Sequence, residues 1–186
     1  MRDRIRPLFK SILTGCAAFA FLVVFGGCQS AQEVTSYVNP ISGQRTDIVA
    51  QNLIDAPGNN REMLWLNAYR DFADRYHYKY YLEAIYGARQ DVGYLDINPG
   101  RSLTIMADNQ ELTFSGLGSL SKKEEKGALF ESARYEATAD DMRTIANAKR
   151  VTVQLRGQNG VITREFASEN FDKFRKFVQQ ADDENL

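Results

Sequence analysis

Short apolar runs with a period of two, separated by residues that favour tight turns, dominate the second half of the chain. Alternation places every second side chain on one face of a strand, and Asn-Gly supplies the positive φ angles that a tight turn needs. The pattern therefore predicts two β-hairpins. Their runs are residues 102–107 and 111–115 around Asp108-Asn109, and residues 151–155 and 161–166 around Gln158-Asn159-Gly160.

Two other segments have a helical period. Thr138, followed by Asp141, begins the first, and Ser168 caps the second. The apolar residues that follow fall on one side of each helix, so each helix has a stripe to bury. The stripes are Met142, Ile145 and Ala146 in the first helix, and Phe171, Phe174, Phe177 and Val178 in the second.

The first part of the folded body is predicted as strands. Residues 78–86 and 128–137 have the composition of strands, whereas residues 63–75 fit either a strand or a helix. We predict a strand there, because residues 71–75 can turn toward the next one. Together these elements predict an α+β domain over residues 61–186. It has a curved antiparallel sheet of about six or seven strands and two helices, the last one C-terminal.

The N-terminus has the order of a secretory signal. Four of the first ten residues are basic, and an apolar stretch over residues 11–25 leads to small residues. The basic end of such a segment stays in the cytoplasm while the rest of the chain is translocated. Everything after Cys28 is therefore expected to be extracytoplasmic.

Phe25-Gly26-Gly27-Cys28 stands where the apolar stretch ends and resembles the signal of bacterial lipoproteins, in which small residues precede a cysteine. The resemblance implies that residues 1–27 are removed and that Cys28 becomes the N-terminus and carries three acyl chains. Gln29 stands where lipoproteins kept in the inner membrane have Asp, so the resemblance also implies the outer membrane. No family is recognised for the folded domain.

A second interpretation keeps the N-terminal segment. Residues 11–28 number 18, the lower bound for a membrane-spanning helix, so an uncleaved inner-membrane anchor gives the same topology. In both cases residues 28–60 are predicted as a polar tether, because they are rich in Ser, Thr, Asn, Gln, Pro and Gly and lack a sustained apolar period. Within it, Ile48, Leu53 and Ile54 could dock on the body.

Charge and cysteine content limit the partners. Without residues 1–27 the chain keeps 19 basic and 23 acidic residues, a formal charge of −4, which argues against a nucleic-acid partner. With Cys28 committed to the anchor, the exported body has no cysteine for a disulfide. Its 159 residues must be stabilised by a hydrophobic core.

Catalytic signatures are weak. His77 is the one histidine, and a Ser-His-Asp or Cys-His site would have to use it, but an exposed histidine near a turn is the simpler interpretation. One His without a spare Cys cannot furnish the usual zinc ligands, so no metal and no cofactor are predicted. Two pairs of acidic residues have plain explanations. Glu124-Glu125 fits a solvated loop over residues 122–126, and Asp140-Asp141 fits the first turn of a helix.

Aromatic residues are concentrated between Tyr69 and Tyr86. If the second half of this segment is a strand, Tyr78, Tyr80 and Tyr86 share one face and Tyr81 lies on the other. The simpler interpretation is a core face backed by a face of cross-strand support. Tyr also combines apolar area with a polar tip, so Tyr78, Tyr80, Tyr81 and Tyr86 are the candidate ligand or partner surface.

Two functions follow from these patterns. The favoured hypothesis is a lipid-anchored envelope protein without catalytic activity, which has a structural, assembly or binding role and has the membrane and another envelope protein as partners. The alternative is a periplasmic hydrolase or ligand-binding protein that acts on glycan or lipid through the aromatic surface between Tyr69 and Tyr86.

Overall fold

The computed structural model describes residues 34–54, 58, 61–72 and 78–183. These residues form an α+β domain with one antiparallel sheet of 11 strands and two helices, the second of them C-terminal. The strands are β1 Thr35–Val38, β2 Arg45–Val49, β3 Leu53–Ile54, β4 Glu62–Phe72, β5 Tyr78–Arg89, β6 Gly100–Ala107, β7 Gln110–Gly116, β8 Ser121–Glu125, β9 Ala128–Ala137, β10 Val151–Gly157 and β11 Gly160–Glu165. The helices are α1 Ala139–Asn147 and α2 Ser168–Asp183.

Strand order places the longest strands next to one another. The hydrogen-bonded order is β1-β2-β4-β5-β9-β7-β6-β10-β11, with β3 on β4 and β8 on β9. The predicted α+β class and the two helices are confirmed. The sheet has more strands than the predicted six or seven, and it is not strongly curled, so the predicted curvature needs correction. The ambiguous first segment of the body is a strand, β4.

Both predicted hairpins are present, as β6–β7 and β10–β11. The turn geometry of the second differs from the prediction. Gly160 has a positive φ of 147°. Asn159, which lies in the turn between the paired residues Gly157 and Gly160, does not have a positive φ. The Asn159 side chain instead donates a hydrogen bond to the carbonyl of Tyr94 at 2.9 Å, which fixes the loop beside the hairpin.

The described part of the predicted tether is folded. β1, β2 and β3 all lie within residues 28–60, and β2 and β3 pair with β4. The domain therefore begins before the predicted boundary at residue 61. The reason is that this polar segment contains a few fully buried side chains, among them Val49 and Ile54, that fasten it to the body.

The predicted solvated loop over residues 122–126 is another strand. β8 pairs with β9 along its whole length, although every one of its side chains is exposed. Backbone hydrogen bonds hold such a strand without any apolar alternation. The signal on which strand prediction depends is absent from this segment, which is why it was missed.

One face of the sheet, which we name the inner face, carries the core. In β4, β5 and β9 alternate residues are buried there, including Leu64, Leu82 and Ala133. The helices bury their predicted stripes against the core, and the rings of Phe177 in α2 and Tyr80 in β5 meet edge to face at 6.2 Å. Burial of these stripes accounts for the positions of both helices.

The start of each helix is held by a local side chain. Thr138 Oγ1 accepts a hydrogen bond from the backbone N–H of Asp141, and the Asp141 carboxylate accepts one from the N–H of Thr138, so the predicted cap is a complete capping box. At α2 the Asn170 side chain accepts a hydrogen bond from the N–H of Ala167 at 2.8 Å. Ser168, which the sequence predicted as the cap of α2, is instead its first helical residue.

A buried carboxylate joins the N-terminal strands to the body. Asp47 in β2 is fully buried and accepts hydrogen bonds from Arg70 Nε at 3.1 Å, Arg45 Nε at 2.9 Å and Ser36 Oγ at 2.6 Å. Arg70 in β4 is only 1% exposed. A charge buried without partners costs several kcal/mol, so these groups stabilise the fold only as a set.

Replacing Asp47 with Ala should lower the free energy of unfolding by about 3 to 5 kcal/mol, because the buried Arg70 guanidinium loses the carboxylate to which its Nε donates. Urea denaturation measures the change. Asp91→Ala is the matched control, since Asp91 forms exposed ion pairs with Arg61 and Arg89 and should cost less than about 1 kcal/mol. Equal losses in the two variants would contradict the role assigned to Asp47.

Candidate functional site

The four predicted surface tyrosines separate into two groups. Tyr80 and Tyr86 are 6% and 2% exposed on the inner face, and Tyr78 is half-buried against the same core. Tyr80 and Tyr86 are thus core residues, whereas Tyr78 is half-buried and lines a shallow cavity of about 350 Å³ together with Tyr80. Tyr81 points to the opposite face and is half-exposed. The predicted division of this strand into two faces is confirmed.

Two predicted positions lie outside the described residues. Cys28, the predicted acylation site, is one of them, and His77 is the other. Of the four predicted tyrosines, Tyr81 is the one on the face away from the core, and the candidate site is described around it.

The register of β4, β5 and β9 gathers further side chains around Tyr81. Tyr69 is paired with Tyr81, Trp65 with Ile85, and Glu83 with Arg134. Paired residues of neighbouring antiparallel strands point to the same side of a sheet. We name the resulting half-buried surface the outer aromatic face. It comprises Trp65, Tyr69, Tyr81, Ile85, Phe130 and Arg134.

Arg134 lies at one end of the outer aromatic face, over two tyrosine rings. Its guanidinium carbon is 4.2 Å from the ring centre of Tyr81 and 4.8 Å from that of Tyr69. Its Nη2 donates to Asp71 at 3.2 Å, whereas the buried Nε has no acceptor among the described residues. Ring faces and one carboxylate thus fix the cation. Its side chain remains 37% exposed.

A second carboxylate, that of Glu83, fixes the position of Tyr69. Glu83 accepts hydrogen bonds from the hydroxyl of Tyr69 at 2.6 Å and from the side-chain amide of Asn67 at 3.2 Å. Burial raises the pKa of Tyr69 well above its ordinary value, and the hydrogen bond to Glu83 and the charge of that carboxylate raise the pKa further. Tyr69 therefore stays protonated and holds its ring against Arg134.

The other end of the face is apolar. The rings of Trp65 and Phe130 lie 6.1 Å apart, and the Lys123 ammonium lies 5.4 Å from the centre of the Phe130 ring. Gly87 lies beneath them, and a Cβ at that position would be 2.7 Å from the Trp65 ring. Glycine is thus required for the two aromatic rings to close over the strand. From Tyr81 to Gly87 the face extends about 20 Å along β5.

Two shallow cavities flank this surface. One, of about 220 Å³, is lined by polar groups of β1 and β2 beside Arg134 and Asp71. The other, of about 330 Å³, lies beside Ile85 and Phe130. Across the described ranges, no cluster of three His, Cys, Asp or Glu side chains could hold a metal ion. The arrangement presents rings and one oriented cation, which suits non-covalent binding.

One buried carboxylate was not predicted. Glu131 on the inner face is 1% exposed and accepts hydrogen bonds from the backbone N–H groups of Asp96 and Ile97, at 2.9 and 2.7 Å, and from the Ser119 hydroxyl. Through these hydrogen bonds the Glu131 carboxylate is bonded to two loops of the fold. Its role is therefore to position those loops.

Tyr69, Tyr81 and Ile85 lie within the predicted aromatic segment, whereas Trp65, Phe130 and Arg134 lie outside it and were missed by sequence reasoning. Arg134 lies in a predicted strand, at a position that alternates with buried residues, so its outward direction could have been found from the period of two. Its contact with Tyr81 depends on β5 pairing with β9, across about 50 residues of chain. Nothing local in the sequence specifies that pairing.

Comparison with protein-family models, with curated proteins and with solved structures finds no match for this chain. The part of the chain that the structure describes contains no helix long and apolar enough to cross a membrane. The predicted signal and anchor segment, residues 1–28, lies outside that part.

Alkaline pH should unfold the protein through its buried tyrosines. Burial raises the pKa of Tyr135 to about 12, although its hydrogen bond with Ser102 lowers that pKa, and burial raises the pKa values of Tyr69, Tyr80 and Tyr86 as well. The folded state keeps these groups protonated, so their stabilisation is complete below pH 10 and is lost as the pH rises toward 12.

Tyrosinate absorbance and circular dichroism, recorded in one alkaline titration, test this expectation. Buried tyrosines should ionise together with loss of the fold, and Tyr135→Phe should make the loss of stability with pH less steep. The explanation fails if every tyrosine ionises near pH 10 while the circular dichroism of the folded protein persists.

Proposed function

We propose that this protein is a lipid-anchored envelope protein without catalytic activity, which binds another envelope component through the outer aromatic face. The observation that carries the proposal is the stack of Arg134 on Tyr81 and Tyr69, which leaves an oriented, partly exposed cation on a rigid sheet. The binding role agrees with the residue types gathered there.

The composition of the face supports a binding role. Trp, Tyr and Arg dominate the energetic centres of protein interfaces, and the outer aromatic face brings one Trp, two Tyr and one Arg together. They are half-buried, so each can lose further solvent contact when a partner covers it. Exposed lysines or glutamates in the same positions would favour a solvated surface instead.

The rigidity of the face supports the same role. β4 and β5 are paired over 11 residues and β5 and β9 over 10, so the backbone beneath the rings is fully hydrogen-bonded. Asp71 and Glu83 hold Arg134 and Tyr69 in single orientations. A surface ordered before binding loses little conformational entropy when a partner docks.

The location rests on the N-terminal residues. A basic start, an apolar stretch and Gly26-Gly27 before Cys28 favour export and acylation. Three acyl chains would make the attachment lasting, since one chain alone binds a membrane only marginally. Gln29 favours the outer membrane as the destination.

A second candidate function is recognition of a glycan or a similar polar ligand. The cavity of about 220 Å³ favours it, because its lining combines two aromatic rings, those of Tyr37 and Tyr69, with amide, hydroxyl and charged groups. Such polar groups around an aromatic ring suit a hydroxylated ligand. Hydrolysis has less support, since Asp71 is the one carboxylate in that lining, and glycoside hydrolysis ordinarily uses two.

The anchor is tested by the intact mass of the detergent-extracted protein, expressed in a bacterial envelope. We expect the mass of residues 28–186 with three acyl chains, and an unacylated species in the Cys28→Ser variant. A full-length, unmodified mass would overturn acylation and make residues 11–28 a membrane-spanning anchor.

The binding surface is tested by a photo-crosslinking amino acid at Ile85, between the two ends of the outer aromatic face. We expect one discrete adduct in intact envelopes, reduced about tenfold by Tyr81→Ala or Arg134→Gln, because such residues contribute 1 kcal/mol or more at interface centres. The matched control places the crosslinker at Thr113, an exposed residue of β7. An adduct formed in equal yield in all variants, or in equal yield from the crosslinker at Thr113, would overturn the proposal.

A further inference from the structure

The β1–β2 hairpin ends in an apolar tip without charge. Residues 38–44 contain no charged side chain. Tyr37 is 54% exposed, Val38 is 56% exposed, and Ile41, at the turn, is 96% exposed. Single exposed apolar residues are common, but these three project from one short hairpin.

Several polar groups of the turn are paired within the turn itself. Asn39 donates its N–H to the carbonyl of Gln44, and its carbonyl accepts from Gly43, both at 2.8 Å. The Asn39 side chain accepts from the N–H groups of Ile41 and Ser42 at 2.9 and 3.2 Å. Backbone groups paired in this way can leave water at a lower cost than unpaired ones.

The tip lies within reach of the predicted anchor along the chain. Ile41 is 13 residues after Cys28, so the two are at most about 45 Å apart. β1 is an edge strand, with β2 as its one partner in the sheet. Leu117, which is 86% exposed, follows β7, five strands away across the sheet.

We propose that the tip of the β1–β2 hairpin contacts the lipid surface that holds the acyl chains of Cys28. The inference rests on the proposed lipid anchor. Ile41 and Val38 enter the boundary between head groups and acyl chains, and Tyr37 lies at head-group level, where its ring and hydroxyl are both accommodated.

A lipid surface fits this tip better than a protein partner does. The chain of 13 residues from Cys28 to Ile41 keeps the tip within about 45 Å of the acylated end, so the tip meets lipid at a high local concentration. The missing charges lower the cost of leaving water, and Arg45, the first charged residue after the tip, is already bonded to Asp47. A bilayer needs no shape complementarity to cover three side chains.

Contact at this edge would also orient the body. β4, the first strand of the outer aromatic face, is two strand positions from β1, or about 10 Å. Tyr37 lines the cavity of about 220 Å³ together with Tyr69 and Arg134, so the Arg134 end of the outer aromatic face would lie nearest the lipid. The end formed by Trp65 and Phe130 would remain open to a partner.

The test uses the acylated protein with Ile41→Cys, labelled with an environment-sensitive fluorophore and reconstituted into phosphatidylcholine vesicles with brominated acyl chains. In the mature protein Cys28 carries an acyl group on sulfur, so the new thiol is the one available for labelling. We expect the label at position 41 to be quenched and blue-shifted. The same label in Leu117→Cys, an equally exposed position, should stay in water.

Two further variants test whether the neighbouring residue contributes. Val38→Asp should reduce quenching at position 41 by about twofold or more, because a charge opposes entry of the tip into lipid. Val161→Asp, a similarly exposed valine on the edge strand β11, should leave the quenching unchanged. Equal effects of the two substitutions would overturn the inference.

The measurements distinguish failure of this inference from failure of the proposed lipid anchor. If the acylated protein stays on the vesicles while the label at position 41 reports water, the tip does not contact lipid and the inference is wrong, whereas the anchor stands. A blue shift that is equally large without vesicles would assign the tip to a protein contact and would also overturn it. Absence of acyl chains in the intact mass would instead overturn the anchor.

Discussion

The register of β4, β5 and β9 is the constraint on which both faces of this domain depend. Ladders of 11 and 10 residue pairs fix which side chains meet, and the period of two sends alternate residues to opposite sides. Tyr80 and Tyr86 thereby enter the core, and Tyr81 joins Arg134 outside it. A slip of one residue would exchange the two sets and bury the Arg134 cation, so the core and the candidate surface are specified together.

The N-terminal strands depend on a different interaction. β2 presents Asp47 to Arg70 in the interior, and Arg45 and Ser36 complete the set of donors around it. Because the buried charges require one another, residues 34–49 are part of the body. The chain between Cys28 and the first strand is therefore short, which brings the edge of the sheet near the proposed membrane anchor.

Sequence patterns predicted the elements whose signals are local. The two hairpins, β9, the capping box at Thr138 and the apolar stripes of both helices follow from period and turn chemistry. The strands β1 and β8 were missed because their side chains are all exposed and therefore show no apolar alternation. Of the candidate site, Tyr69 and Tyr81 lay within the predicted aromatic surface, but Arg134 was not predicted, since its meeting with the two rings requires a strand order that no local pattern encodes.

The position of the outer aromatic face within the sheet bears on its function. Edge strands can bind a partner by adding backbone hydrogen bonds, but β4, β5 and β9 are paired on both sides, so the surface above them can bind only through side chains. Side-chain binding draws on rings and an oriented cation, and both are present at Tyr81 and Arg134. The edge strand β1 is where the chain approaches the proposed anchor. In this arrangement the edge would serve attachment to the membrane, and the interior strands would serve recognition.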